Sequence, residues 1–179
     1  SRSSAASDVY KRQLKEAVTQ QDNGAHILDV NVGLPEIDEP SMMEEVVREL
    51  QAVTDLPLQI DTSDTCAMER ALRAYNGKPM INSVNGKSEV MEAVFPLAAK
   101  YGGVLVALTL DEGGIPDTAD ARIAIAERII RRAAEYGIDK RDIVIDALCM
   151  TISSDPKGAL TTLCLLYTSD AADDLLCVD

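Results

Sequence analysis

The stretch HILDVNVGLPEIDE, from His26 to Glu39, decides how the chain is read. Apolar residues dominate from Ile27 to Val32, as in a strand buried on both faces. Asp29 and Asn31 interrupt that run, and a Gly33-Leu34-Pro35 turn follows at once. A buried carboxylate or amide is costly unless something hydrogen-bonds it. Two such residues at the end of an apolar strand therefore ask for partners.

Outward from this stretch the same design recurs. Strand-like runs follow at LPLQIDT (56–62), KPMINSVN (78–85), GVLVALTL (103–110) and DIVIDAL (142–148). Between them lie helical patterns. In SMMEEVVRELQAV, Ser41 and Glu44 read as a capping box, and Met43, Val46, Val47 and Leu50 follow at helical spacing. Met68, Ala71, Leu72 and Tyr75 form a second apolar face, with Gly77 as its stop. Met91, Val94, Phe95 and Ala98 form a third, which Pro96 should kink or restart. The fourth helix spans about Thr118 to Tyr136. Asp117 and Asp120 lie near its start and Arg131 and Arg132 near its end, as the macrodipole favours, before Gly137. Strand–helix alternation with short loops implies parallel strands and right-handed crossovers. No G-x-G-x-x-G or Walker A pattern follows any strand, which removes the main nucleotide-binding reason for a doubly wound sheet. The expected fold class is α/β, a (β/α)8 barrel in part.

Each strand also turns polar where it ends: Asp29 and Asn31, Asp61, Asn82 and Asn85, Asp111 and Glu112, then Asp146. One such residue could merely cap the next helix. Five strands in succession point to the rim where barrel active sites lie. The set is rich in acceptors and holds no Lys or Arg at a strand end, so phosphate or carboxylate clamping is disfavoured. An aspartate can accept two parallel hydrogen bonds from an amino group and a neighbouring ring N–H, while an asparagine offers both donor and acceptor. A flat heterocycle such as a pterin has that edge. Divalent-metal binding by an oxygen-rich rim is the rival reading.

Bulk composition excludes other classes. The 179 residues are 46% apolar and 26% charged, with a net charge of −13 and 3% aromatics, so nucleic-acid binding is disfavoured. No apolar run approaches the length of a membrane span, and a cytoplasmic location is expected. Cys66, Cys149, Cys164 and Cys177 form no C-x-x-C pair, and His26 is the single histidine, so no metal site, disulfide framework or cysteine–histidine catalysis is expected.

The ends break the pattern. SRSSAASDVYKRQ has no apolar period, and CLLYTSDAADDLLCVD starts within an amphipathic pattern and destroys it. Both resemble translated read-through of sequencing adapters. Residues 1–13 and 164–179 are therefore expected to be non-native, with a partial barrel domain over 14–163. Val9 and Leu175 should then not share a core.

GAHILDVNVGLPEIDE, LPLQIDTS, KPMINSVNGK, GVLVALTLDEGGIPDTADAR and YGIDKRDIVID together resemble the methyltetrahydrofolate-binding (pterin-binding) barrel domain of cobalamin-dependent methionine synthase and related corrinoid methyltransferases. The likeness covers Leu14–Leu163 in family order and implies strands two to six of the barrel. It implies pterin-holding roles for Asp61, Asn82 and Asp146, with Asp29, Asn31 and Asp111 on the rim or just behind it. Asp29 and Asn31 would satisfy each other, rim backbone and the ligand shell. The implied reaction moves the N5 methyl of 5-methyltetrahydrofolate to the cob(I)alamin of a partner domain or protein, as in methionine biosynthesis. The tertiary amine leaving group needs a proton or hydrogen bond at N5. The family's N5-contacting Asn is expected on a seventh strand, so no catalytic residue is assigned here and this chain alone should be inactive. The alternatives are a dihydropteroate synthase-like enzyme, a non-catalytic folate-binding module of a corrinoid system, and a metal-dependent barrel unrelated to folate.

Overall fold

The structure, a computed structural model, describes residues 2–33, 37–149 and 158–171, with side chains described only between residues 11 and 166, residue 13 excepted. Helices α1 (Arg2–Asp22), α2 (Glu39–Val53), α3 (Thr65–Ala74), α4 (Ser88–Tyr101), α5 (Ala119–Glu135) and α6 (Gly158–Ala171) alternate with strands β1 (Leu28–Val30), β2 (Leu58–Asp61), β3 (Met80–Asn85), β4 (Val104–Leu108) and β5 (Ile143–Asp146). The strands form one sheet in the order β1-β2-β3-β4-β5. A doubly wound sheet reverses its order partway; this one does not, as the barrel reading requires. Each strand falls inside the run assigned to it from sequence. The chain divides into two compact units, residues 1–82 with 101–104 and residues 83–100 with 105–179.

In the first unit β1, β2 and the start of β3 are parallel, with Asp29 beside Gln59, Val30 beside Ile60 and Asp61 beside Asn82. Side chains alternate across a strand, and the alternation is clean. Leu28, Val30, Val32, Leu58, Ile60 and Ile81 are buried, as are Met43, Val47, Met68 and Leu72 of α2 and α3. Asp29 and Asn31 are exposed, on the other face of β1. The run is thus buried on one face, not two, and the expected cost of buried polar groups does not arise there. Gly103 is required by close packing: a Cβ on it would lie 2.6 Å from Ile81 Cδ1 and 3.3 Å from the Pro79 carbonyl oxygen.

The start of α2 differs from the expected capping box. Asp38 is the N-cap, and Pro40 lies in the first turn. Ser41 sits inside the helix and donates its Oγ–H to Asp38 Oδ2 at 2.6 Å, while Glu44 pairs with Arg48 and Arg70. The aspartate wins because proline favours the first turn, where its missing N–H is no loss. Helix α3 ends at Ala74, ahead of Gly77, because the Gln51 amide both donates to the Ala74 carbonyl and accepts the Asn76 N–H.

In the second unit β4 and β5 are parallel from Leu105–Ile143 to Leu108–Asp146. Leu105, Ala107, Ile125, Ala126, Ile129 and Ala133 are buried, and Phe95 packs on Tyr136 at 5.4 Å between ring centroids. Helix α4 runs unbroken through Pro96, where a kink or restart was expected. Helix α5 begins at its N-cap Thr118 and ends at Tyr136, with Gly137 at φ +75°, as the sequence pattern predicts. In α6 Leu165 is buried, whereas Leu160, Leu163 and Leu166 are exposed. The side chain of Val9, all of Leu175 and Cys177, and residues 34–36 of the turn after β1 lie outside the described residues. Among the described residues, no helix is long and apolar enough to cross a membrane.

Candidate functional site

Polar side chains gather on one face of β1–β3, Asp29 and Asn31 exposed and Gln59, Asp61 and Asn82 half-buried, because residues two apart in a strand share a face. Asp61 ends β2, Asn31 follows the last residue of β1, and Asn82, within β3, is the direct register partner of Asp61. Asn31 Nδ2 donates to Asp61 Oδ2 at 2.8 Å, and Asn31 Oδ1 accepts the Gly33 N–H at 3.1 Å. One step back along the strands, Gln59 Nε2 donates to Asp29 Oδ1 at 2.6 Å. Asp29 thus pairs with Gln59, and Asn31 with Asp61 and with the rim backbone at Gly33. Behind Asp61, buried Thr62 donates its Oγ–H to Glu39 and accepts the Asp64 N–H at 3.0 Å, tying the start of α2 to the exit of β2. This rung can present fixed acceptors and one amide on an open face.

The second unit holds the remaining predicted residues. Asp111 lies in the tight turn after β4; its Oδ1 accepts the Gly113 N–H at 2.9 Å and its Oδ2 pairs with Arg128 Nη2 at 2.9 Å. Glu112 accepts the Ser88 N–H at 3.0 Å. Its own backbone N–H and that of Ser88 hold its carboxyl below the ordinary carboxylate range, with Arg128 helping. Asp146 ends β5 exposed, and its Oδ1 accepts the Leu148 N–H at 2.8 Å.

The structure thus brings Asp29, Asn31, Asp61 and Asn82 together in one unit, while in the other Asp111 lies in the turn after β4 and Asp146 ends β5. Sequence reasoning missed Gln59, which shares the face of Asp61 two residues on. No Lys or Arg stands at a strand end in the sequence, yet two arginines reach the strand exits from a helix. Arg128 and Arg122 do so from α5, the latter donating to the Ala147 carbonyl at 2.7 Å. The signal for Arg122 was a cation on the helical face that carries Ile125, Ala126, Ile129 and Ala133. Among the described residues, no cluster of His, Cys, Asp and Glu side chains is placed to hold a metal ion.

A parallel sheet in sequential order, with helices between its strands, is the architecture of a (β/α) barrel, present here in part. The chain belongs to the pterin-binding enzyme family, whose description matches residues 1–166. It is 32% identical to methionine synthase of Mycobacterium tuberculosis over 86% of this chain and 13% of that protein. It is 29% identical to the methylcorrinoid:tetrahydrofolate methyltransferase of Eubacterium limosum over 80% of this chain and 54% of that one. The chain therefore spans about an eighth of the first relative and about half of the second. Among solved structures, it resembles dihydropteroate synthase of Yersinia pestis (TM-score 0.68, 19% identity, 93% of this chain and 64% of that one). The Vibrio fischeri 7,8-dihydropteroate synthase is similar at TM-score 0.64 and 20% identity, over 92% and 64%. These two likenesses bear on the fold.

Proposed function

We propose that the chain binds 5-methyltetrahydrofolate through Asp61, Asn82 and Asp146 and serves a cytoplasmic methyltransferase that passes the N5 methyl group to a corrinoid. The observation that carries this reading is the Asn31–Asp61–Asn82 rung. The Asn31 amide fixes Asp61 by one oxygen, leaving the carboxylate aimed by a neighbour and still able to accept from a donor edge. Asn82, one strand over, adds a donor and an acceptor in the same row. An amino group and adjacent ring N–H of a pterin match such a row, since a carboxylate accepts paired N–H groups side by side. Asp29, Asn31 and Asp111 border or brace the site.

The residues present fit the folate, not the corrinoid. His26, the single histidine, precedes β1 and so lies at the opposite end of that strand from the rung. The corrinoid is accordingly assigned to a partner domain or protein, and when bound it supplies the metal nucleophile. The chain's own share is orientation: holding the pterin ring so that its methyl group faces outward. The identity to a methylcorrinoid:tetrahydrofolate methyltransferase favours this over a dihydropteroate synthase activity, for which the likeness is one of fold.

Isothermal titration of methyltetrahydrofolate into the full-length protein tests the assignment. Asp61→Ala should weaken binding by roughly 1.5–3 kcal/mol, the scale of a hydrogen bond to a charged group, with folding retained. Asp61→Asn should lose almost as much, because one of its two polar atoms is a donor facing a donor edge. Unchanged affinity in a folded Asp61→Ala variant would falsify the pterin site.

A further inference from the structure

Arg122 is a cation in a place that disfavours one. It is 2% exposed and lies four residues past the N-cap of α5, at the positive end of the helix dipole. A buried guanidinium persists only where its N–H groups are met. Here Nε donates to the Pro116 carbonyl at 2.8 Å, and Nη1 donates to the carbonyls of Ala147 at 2.7 Å and Leu148 at 3.1 Å. Leu148 is the one non-glycine among the described residues with a positive φ, +56°. A left-handed backbone disfavours a leucine and persists only where the surroundings hold it. Its N–H is the donor that fixes Asp146 Oδ1 at 2.8 Å.

These contacts form one chain of cause. Arg122 grips the two carbonyls that follow Asp146, which keeps the backbone turned at Leu148. The turn aims the Leu148 N–H back at the aspartate and fixes one carboxylate oxygen, so the other keeps a set direction at the exposed end of β5. We propose that Arg122 is a positioning residue for Asp146, acting through the left-handed turn at Leu148 to set that carboxylate for the ligand. This rests on the reading of Asp146 as pterin-facing.

The test uses glycine, which adopts the left-handed conformation without a steric penalty. If Arg122 acts by enforcing the turn, Leu148→Gly should compensate for its loss; if it acts only by filling a buried site, it should not. Arg122→Met, Leu148→Gly and the double variant are compared in the full-length protein by methyltetrahydrofolate titration and by amide hydrogen exchange at residue 148. Arg122→Met should bind at least tenfold more weakly and exchange at least tenfold faster at that amide. The double variant should recover most of both losses. Should Arg122→Met fail to fold, Arg122→Lys with and without Leu148→Gly decides, since a single ammonium cannot span both the Pro116 and Ala147 carbonyls. Wild-type affinity and exchange in the folded Arg122 variants, or no recovery with glycine, would overturn the proposal. If the wild-type protein binds no methyltetrahydrofolate, the folate reading falls, while residue 148 exchange still decides whether Arg122 holds the turn.

Discussion

At Gly86 the absence of a side chain lets three elements meet. A Cβ there would lie 2.7 Å from Arg128 Nη2, 2.8 Å from Ile125 Cγ2 and 3.0 Å from the Leu110 carbonyl oxygen, the acceptor of the Gly86 N–H. Arg128 could swing away, but only by leaving Asp111; Ile125 is buried and the carbonyl is backbone. Gly86→Ala should therefore destabilise the fold by about 1–3 kcal/mol, the range for overpacking, as read from denaturant midpoints. An unchanged midpoint would mean that Arg128 relaxes freely. At this scale the sequence was informative about which residues are polar at strand ends and poor about their surroundings. Asp29 and Asn31 looked buried because their neighbours are apolar, yet alternation turns them to the open face. The sequence reading gives Arg122 no role, and only tertiary packing shows it buried.

The elements themselves were legible because their periods differ: each strand lies within its apolar run, and α5 begins and ends at Thr118 and Tyr136 as read. What failed was cap choice, where several candidates compete within a few residues. At α3 the cap is unambiguous: Asp64 Oδ1 accepts the Cys66 N–H at 2.8 Å and the Ala67 N–H at 3.2 Å. Asp64→Ala should cost about 1 kcal/mol and Asp64→Ser much less, measured by chemical denaturation. Carboxyls are lowered both at helix starts and in helix-surface ion pairs. Before β5, Asp139 is held at about 2, below its ordinary 3.8, by the Arg141 side chain first and the Arg141 N–H second. Asp38 is lowered by Ser41, and Glu44 by Arg48 and Arg70. A carboxyl lowered in the folded state contributes its full stabilisation above the ordinary value and loses it as pH falls through the folded one. Asp139→Asn should thus be less stable than wild type at pH 7, and the two stability curves should converge between pH 4 and about 2. Curves that stay parallel over that window would remove Asp139 from the acid response.

For the molecule as a whole, the sheet order leaves β1 and β5 as outer strands of the described sheet, each with one row of backbone groups lacking a strand partner there. Such edges template association with other chains unless charge, proline or a covering segment blocks them. Strand β5, of sequence IVID, carries no basic residue, and Val144 at its middle is 47% exposed. The net charge of −13 opposes association at neutral pH and low salt, but salt screens that repulsion within about 10 Å at 0.1 M. The 179-residue chain should therefore self-associate more as salt rises, the reverse of what an ion-paired interface would do. Val144→Lys places on the exposed strand the residue that natural edges use against pairing. It should shift the onset of association to several-fold higher protein concentration in light scattering, while the denaturation midpoint stays close to wild type because the side chain is already half in water. Association that falls with added salt, or that Val144→Lys leaves untouched, would place the contact elsewhere than the β5 edge.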